Sequence, residues 1–355
     1  MRIYNWVHGC LIILLMQLCF NIGNAQRYSS LQFENETLKL KGVGSFYVGG
    51  EQEEQTALDL GGYSTPGSVT VHQMYVNFMI PKKRKHKASV VMIHGMNLSG
   101  KTYETVPDGS MGWYEYFVRK GFATYTVDQV GAGRSGFNQK AYNQVQAGKT
   151  SAGVQQIFHR ISDDNSWINF RFGLKNGDAV AHAQYDKATA TEFSKQSIPF
   201  SLFGLPDPNP NYLNLSTLAK DLKAVVLMSH SQSGSFPIET ALLDAQGIQA
   251  IIMLEPGGMG DNYNDQQVAK LKDIPVLVLF GDYLTNETGL PGHSWQDYYE
   301  GWQRFTNRLE AAGGTARTLK LTDLGFKGNS HMLMQDRNNQ QIADYLIKWI
   351  TENTE

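Results

Sequence analysis

The sequence predicts an α/β protein whose central sheet is mostly parallel and doubly wound, with an antiparallel, β-rich N-terminal extension. Short, continuously apolar runs with the character of buried strands recur along the chain, and helix-compatible segments separate them. Before the first of these runs, the segment VTVHQMYVNFMIP alternates in the manner of an antiparallel strand. Alternation of buried strands with helices favours a parallel sheet covered on both faces.

The predicted elements follow one another from residue 38 to the C-terminus. Antiparallel strands are expected at 38–43, 45–48 and 69–80, followed by a solvated basic turn at 82–87. Buried strands are expected at 88–93, 123–127, 225–228, 250–254 and 276–280. A helix over 111–120 should stop at Gly121, and a helix over 339–350 should close the chain.

The connection between Asp128 and Ser231 is unusually long. It runs for about a hundred residues, whereas a simple crossover between parallel strands needs only a few tens. We therefore predict an insertion over about 138–221, within one folded unit spanning 26–355. If it enters beside the carboxyl ends of the strands, it forms a cap over the ligand site, because open α/β sheets bind ligands at that edge. The alternative is a peripheral helical excursion with a small core of its own.

The N-terminus has the pattern of a secretory signal peptide over residues 1–25. A basic residue, Arg2, precedes a short apolar run, and a small-x-small cleavage site ends at Ala25. A retained N-terminal anchor is the alternative. Both cysteines, Cys10 and Cys19, lie inside this segment, so the exported chain would contain neither a disulfide nor a thiolate site. We expect export to the periplasm or beyond.

Composition and missing motifs narrow the function classes. The formal net charge is −2 and no second apolar run is long enough to cross a bilayer, so neither a nucleic acid nor a membrane is expected to bind the mature chain. The sequence has no glycine-rich phosphate loop with a lysine and no His-Glu-x-x-His motif, and we predict no cofactor and no metal. A small-molecule substrate is the expected partner; the oligomeric state stays open.

Ser231 is the candidate nucleophile. The apolar strand 225–228 passes through Ser229-His230-Ser231-Gln232-Ser233-Gly234 into a helix-compatible segment. A serine on a tight strand-to-helix turn is exposed at a helix N-terminus and tolerates only small residues two positions away. Ser229 and Ser233 meet that demand, although glycine is commoner at both positions.

A base and an acid should follow the nucleophile in chain order. His331, in a loop ahead of the last helix, has the right order, whereas His230 would point away from the turn and His94 would brace its own loop. Glu255, at the carboxyl end of an apolar strand, is the favoured acid, because a carboxylate there is costly unless it is paired. Asp282, just after the strand 276–280, is the alternative acid.

Two backbone N–H groups are the candidate oxyanion hole, which would stabilise a developing negative oxygen. Gln232 would supply one because it follows the nucleophile, and Met96 the other because it follows Ile93-His94-Gly95 at a strand end. Backbone donors have no side-chain signature, so both are assigned by position.

Four segments carry a resemblance to a known superfamily. They are Ile93-His94-Gly95, the run from Val127 to Ser135, the serine turn, and the run from Gly328 to Asn339. Together they resemble the α/β-hydrolase superfamily, and within it an atypical group of secreted bacterial serine esterases. The resemblance implies carboxylic ester hydrolysis through an acyl-serine, a cap, and a glutamate acid after the sixth strand, which matches Glu255. Met96-Asn97 departs from the group, so acyl preference cannot be carried over.

Other functions use the same residues. A peptidase, lactonase or thioesterase would also form an acyl-serine, so a triad does not separate them. A non-catalytic binding protein is disfavoured because Ser231, His331 and Glu255 are all retained. A dehalogenase would require aspartate in place of Ser231.

Overall fold

The computed structural model describes residues 28–201 and 204–355. The predicted signal peptide over 1–25, with Cys10 and Cys19, lies outside the described residues, so its interpretation remains a prediction. No helix within the described ranges is both long enough and apolar enough to span a bilayer.

One eight-stranded sheet forms the centre of the fold. The described strands, in chain order, are β1 (Leu40–Gln55), β2 (Gly67–Pro81), β3 (Ser89–Ile93), β4 (Thr124–Asp128), β5 (Phe158–His159), β6 (Phe200–Ser201), β7 (Val225–His230), β8 (Ile248–Leu254), β9 (Val276–Phe280) and β10 (Ala316–Lys320). The large sheet has the order β1-β2-β4-β3-β7-β8-β9-β10, and β5 and β6 form a separate pair. The β1–β2 and β2–β4 pairs are antiparallel and all other pairs of the large sheet are parallel. The predicted fold class is confirmed.

Helices cover both faces of this sheet. In chain order they are α1 (Trp113–Lys120), α2 (Lys140–Gln146), α3 (Asp163–Asn169), α4 (Ala190–Gln196), α5 (Pro210–Leu222), α6 (Phe236–Leu243), α7 (Asp265–Ala269), α8 (Trp295–Ala311) and α9 (Asn339–Thr354). Buried side chains of α5 to α8 form one core with the sheet, and those of α1 and α9 form a second core. Val91 and Ile93 belong to the first core, whereas Val90 and Met92 belong to the second. Burial on both faces explains why the parallel strands are apolar throughout.

The structure differs from the predicted elements at both edges of the sheet. The two short strands expected before residue 50 are one long strand, β1, which pairs with β2 along most of its length. β10 was not predicted. Its sequence, ARTLK, buries only Ala316 and Thr318, so it lacks the continuous apolar run of the central strands. Edge strands with one exposed side give this weak signal.

The segment expected as an insertion, 138–221, divides into two parts. Residues up to β6 extend from the sheet and contact the loops at its carboxyl edge. By contrast, α5 packs on the sheet through the fully buried Leu215 and Leu218. The part that lies at the carboxyl edge therefore ends before α5, earlier than the predicted boundary at 221.

Candidate active site

Ser231 lies on a sharp turn directly after β7. Its φ of 59° is in the left-handed region, which is uncommon for residues other than glycine and marks a constrained position. A short 3-10 turn, Ser231–Ser233, leads into α6. Ser231 itself is only half-buried. The local structure is the strand-turn-helix that its neighbours predicted.

Close contacts around the Ser231 turn leave room only for small residues. A Cβ on Gly234 would lie 2.4 Å from Cβ of Pro256, the residue after Glu255. A Cβ on Gly95 would lie 2.8 Å from Cβ of Ser231. The loops after β3 and β8 are thus pressed directly against the turn, and glycine permits the approach.

Glu255 and His331 are brought together across 76 residues of sequence. The Nδ1 atom of His331 donates a hydrogen bond of 2.9 Å to Oε2 of Glu255, and both side chains are fully buried. Glu255 directly follows β8 with a φ of 49°. An ionised carboxylate only accepts, so Nδ1 carries the proton and Nε2 is left as the basic nitrogen.

The second oxygen of Glu255 is held by two donors. Oε1 accepts a hydrogen bond of 2.6 Å from a terminal nitrogen of Arg171 and another from the backbone N–H of Gly281. Burial by itself raises the pKa of Glu255, but the charge of Arg171 and the bond to His331 outweigh it and lower that pKa well below its usual range. Glu255 is therefore ionised at neutral pH.

The imidazole of His331 has one free nitrogen. Within the part of the chain that the structure describes, Nε2 has no hydrogen-bond partner, and Ser231 Oγ does not bond to it. The ring lies between Trp295, Phe170 and His230, with centroid distances of 4.2, 5.0 and 4.6 Å. Burial lowers the pKa of His331, although Glu255 opposes this, so the ring is neutral in the resting protein.

Asp282 is directed to the backbone of neighbouring loops. Its carboxylate accepts hydrogen bonds from the N–H groups of Tyr283, at 2.7 Å, and Gly328, at 3.0 Å. The only contact of His331 with a carboxylate is the one to Glu255, among residues 28–201 and 204–355. Asp282 therefore ties together the two loops that flank the site.

Met96 and Gln232 flank Ser231 from two loops. No acceptor in the protein bonds to either backbone N–H, as far as the described residues extend. The Gln232 side chain accepts a hydrogen bond of 3.1 Å from Gln129, which also donates to the carbonyl of His94. These bonds fix the two loops relative to each other and leave both N–H groups available.

The loop that carries Met96 is anchored to the insertion through Asn97. Asn97 is buried with a φ of 62°. Its Nδ2 donates to the carbonyls of His159, at 2.7 Å, and Ile198, at 3.0 Å, and its own carbonyl accepts from Ile198 N at 2.8 Å. The insertion thus determines the path of this loop.

The loop that carries His331 is held by a buried carboxylate. Asp336 accepts hydrogen bonds from the backbone N–H and hydroxyl of Ser330, at 2.9 and 2.7 Å, and from Asn329 at 2.9 Å. Burial raises the pKa of Asp336 to about 6. Three donors on one side chain fix the residues directly before His331.

The two rival histidines have structural partners. Both ring nitrogens of His94 are bonded to backbone, since Nδ1 donates to Gly95 O and Nε2 accepts from Gln129 N. His230 donates from Nε2 to the carbonyl of His331 at 2.9 Å, and burial lowers its pKa to about 3. Both therefore brace the loops around the site as neutral rings.

A cleft of about 410 Å³ opens beside Gln232. Uncharged polar side chains form much of its wall: Gln129, Asn209, Asn211, Tyr212 and Ser235. Over the described ranges, no three His, Asp, Glu or Cys side chains converge as a metal site would require.

Arg171 and Asp336 belong to the surroundings of the site but were not predicted from the sequence. A signal for Arg171 was present, because a lone cation between Phe170 and Phe172 in an aromatic run must find a buried partner. Asp336 precedes the last helix in an Asn-rich segment, where a helix cap was an equally good explanation.

This chain is similar to a bacterial esterase of known structure and, more distantly in sequence, to a fungal protein. The solved structure of a bacterial esterase superposes with a TM-score of 0.84 at 42% identity, covering 91% of this chain and 99% of that one. A fungal protein named "Probable secreted lipase phiG" is 23% identical over 347 residues, covering 86% of this chain and 88% of the fungal protein. No family model matches the chain. Because 42% identity extends over nearly the whole of both chains, this protein belongs to the same family as that bacterial esterase, within the α/β-hydrolase superfamily.

Proposed function

We propose that this protein hydrolyses carboxylic esters through an acyl-serine intermediate, with Ser231 as nucleophile, His331 as base and Glu255 as acid. One observation carries the proposal: the buried Glu255 orients His331 through Nδ1 and leaves Nε2 unpaired, while the His331 ring packs on His230, the residue before Ser231. This is the tautomer that a serine nucleophile needs in its base. Ser231 and Nε2 are not hydrogen-bonded in the free protein, and such bonds often form only when substrate is present.

The mechanism follows from the roles of these atoms. Ser231 Oγ attacks the acyl carbon while His331 Nε2 takes its proton, and the carbonyl π electrons move to oxygen. The imidazolium then protonates the alcohol oxygen as the C–O bond breaks, leaving an acyl-serine. Water adds to that acyl carbon with His331 again as base, and the proton returns to Ser231 Oγ as the carboxylic acid leaves.

We assign the oxyanion hole to the backbone N–H groups of Met96 and Gln232. Both lack a protein acceptor within the described ranges and belong to the loops that contact Ser231. Two donors fixed in a water-poor site stabilise the negative oxygen of the tetrahedral intermediate more than mobile water does. Asn97 keeps the first donor in place through the insertion.

The cleft beside Gln232 supports an uncharged, small-molecule ester as substrate. Its polar residues are amides and hydroxyls without formal charge. The insertion forms part of the cleft wall through Phe200, which supports a cap that lies beside the serine turn at Gln232. The family relative is a bacterial esterase and the fungal relative is named a lipase, which agrees with ester chemistry.

Export is part of the proposal. The signal pattern over residues 1–25 supports it, and the fungal relative is named as secreted. N-terminal sequencing of the protein recovered from outside the cytoplasm should begin at Gln26. A retained N-terminus on a membrane-bound protein would contradict cleavage.

The test is hydrolysis of a chromogenic ester series, from acetyl to long acyl, by the wild type and four variants. Ser231→Ala and His331→Gln should abolish measurable turnover, and Glu255→Gln should lower kcat by roughly 10⁴-fold, because the amide favours the wrong tautomer of His331. Asp282→Asn is the matched control, and its kcat should fall far less than that of Glu255→Gln. A phosphonate should add to Ser231 in the wild type, as read by intact mass and peptide mapping.

Three outcomes would each contradict a part of the proposal. Wild-type activity in Ser231→Ala would exclude this nucleophile. A larger loss of kcat in Asp282→Asn than in Glu255→Gln would mean that Asp282, and not Glu255, is the acid of the triad. Turnover of thioesters, lactones or peptides, without turnover of simple esters, would keep the triad and replace the substrate class.

A further inference from the structure

Arg171 is a buried cation that the triad mechanism above does not use. Its side chain is fully buried, although it comes from the insertion and not from the sheet. One terminal nitrogen donates to Glu255 Oε1 at 2.6 Å, and Nε donates to the carbonyl of Asp282 at 2.7 Å. The guanidinium also lies 5.3 Å from the ring of Trp295.

The backbone around Arg171 is equally constrained. Arg171 has a φ of 60°, which is strained for a long side chain. The carbonyl of the preceding residue, Phe170, accepts a hydrogen bond of 2.9 Å from His331 N–H. Two consecutive residues of the insertion therefore hold the base and the acid at the same time.

The charge of Arg171 decides how readily the buried pair takes up a proton. With Arg171 present, the neutral His331, the ionised Glu255 and the guanidinium sum to zero charge. Adding a proton to either member of the pair then creates a net positive charge in a buried site, which is costly. Without Arg171 the same proton would neutralise a buried negative charge, whichever residue received it.

We propose that Arg171 is a positioning residue of this site, which fixes Glu255 and keeps the Glu255–His331 pair in its proton-accepting form. The inference rests on the proposed function, because only a base that must start unprotonated benefits from such a cation. It also gives the insertion a role in catalysis that does not depend on lid movement.

Other charged and titratable groups near the pair do not replace Arg171. His293, before α8, packs on Trp295 and is neutral because burial lowers its pKa to about 4. His230 packs on the His331 ring from the end of β7 and is neutral. Asp336, from the segment before α9, is bonded to Ser330 and Asn329. Asp282, from the loop after β9, offers its carbonyl to Arg171 and its carboxylate to backbone donors. Arg171 is the only cation bonded to Glu255 among the described residues.

The test is the pH dependence of kcat/KM for ester hydrolysis by the full mature protein. In Arg171→Met the acidic limb should move upward by about 1 to 3 pH units, so that activity lost at neutral pH returns at high pH. Arg171→Lys keeps the charge and should have an acidic limb close to that of the wild type. Arg134→Met is the matched control, since Arg134 pairs with Asp128 and does not bond to the triad. It should leave the limb unmoved.

Arg171→Met leaves the buried Glu255 carboxylate without its cation, which can prevent folding. A second comparison therefore uses variants in which Glu255 is replaced by glutamine. In Glu255→Gln the cation stands alone beside His331, whereas Arg171→Met/Glu255→Gln carries neither charge. The acidic limb of the double variant should lie at higher pH than that of Glu255→Gln. On the high-pH plateau, where His331 is unprotonated in both variants, the activity of the double variant should be no lower than that of Glu255→Gln, because both lack the carboxylate that Arg171 fixes.

The outcomes separate this inference from the proposed function. Full activity in Ser231→Ala overturns the proposed function itself. An inactive Ser231→Ala, combined with an unmoved acidic limb in Arg171→Met or identical limbs in the second comparison, overturns only the role of Arg171. Active-site titration with a phosphonate gives the fraction of folded enzyme, so loss of protein is not mistaken for loss of catalysis.

Discussion

Replacement of Gly234 by alanine tests whether contact between the serine turn and the acid loop sets the site geometry. Gly234 is in the helical region of φ and ψ, so alanine is not strained by its backbone there. The added Cβ would instead lie 2.4 Å from Pro256 Cβ, 2.7 Å from Pro256 Cα and 2.9 Å from Ser231 O. None of these atoms is the mobile end of a flexible side chain.

The size of the effect follows from these distances. Ordinary carbon contacts begin about 1 Å farther out, so the turn and the acid loop must separate by a distance of that order. Such overpacking costs about 1–3 kcal/mol of the free energy of unfolding. Since Ser231 and Glu255 lie on opposite sides of the contact, we also expect kcat/KM to fall by roughly 10²-fold, as for a 1 Å displacement of catalytic groups.

Gly257→Ala provides a matched control at the same junction. Its Cβ would lie 3.4 Å from Ser231 O, which is an ordinary contact, and its N–H bond of 2.8 Å to Ser231 O is retained. Urea unfolding and ester hydrolysis should be measured for both variants. If Gly234→Ala matches Gly257→Ala in stability and in kcat/KM, the close contact does not set the site geometry and the reasoning is wrong.

Two further predictions concern the loops beside the triad. Because burial raises the pKa of Asp336 to about 6, the folded protein binds this proton more tightly than the unfolded chain does. The stability advantage of the wild type over Asp336→Asn should therefore decrease by about 3 kcal/mol as the pH rises from about 4 to 6, measured by urea unfolding; a pH-independent difference would contradict the assignment. Asn97→Ala should lower kcat by roughly 10- to 100-fold, because the loop that bears the Met96 N–H loses its anchors on His159 and Ile198. Met96→Leu, which keeps that N–H, is the control, and equal kcat values in the two variants would exclude a positioning role for Asn97.

The central sheet could be predicted from the sequence because of how it is buried. Val90 to Ile93 alternate between two cores, so every position of β3 is apolar and the run is visible without a structure. Helix α1 likewise ends as predicted at Gly121, whose φ of 105° suits glycine. At the sheet edge this signal disappears, and β10 was missed for that reason.

The candidate triad could be proposed in advance because its members are tied to strand ends. Ser231 and Glu255 directly follow apolar strands, and chain order singled out His331 among the histidines. The distance between His331 and Glu255 in the folded protein could not be predicted in the same way. The 2.9 Å contact between His331 and Glu255 joins the loop after β10 to the end of β8, and the sheet order β8-β9-β10 brings these two segments to the same edge.

The sequence by itself determined the buried central strands, the serine turn and the chain order of the candidate triad, because each is visible in the local pattern or the order of residues along the chain. Only the tertiary structure decided that Arg171 of the insertion joins Glu255, since 84 residues separate them. It also decided that Asp282 is bonded to backbone N–H groups of Tyr283 and Gly328. Such contacts depend on how a non-repeating segment returns to the sheet, and local patterning contains no information on that path.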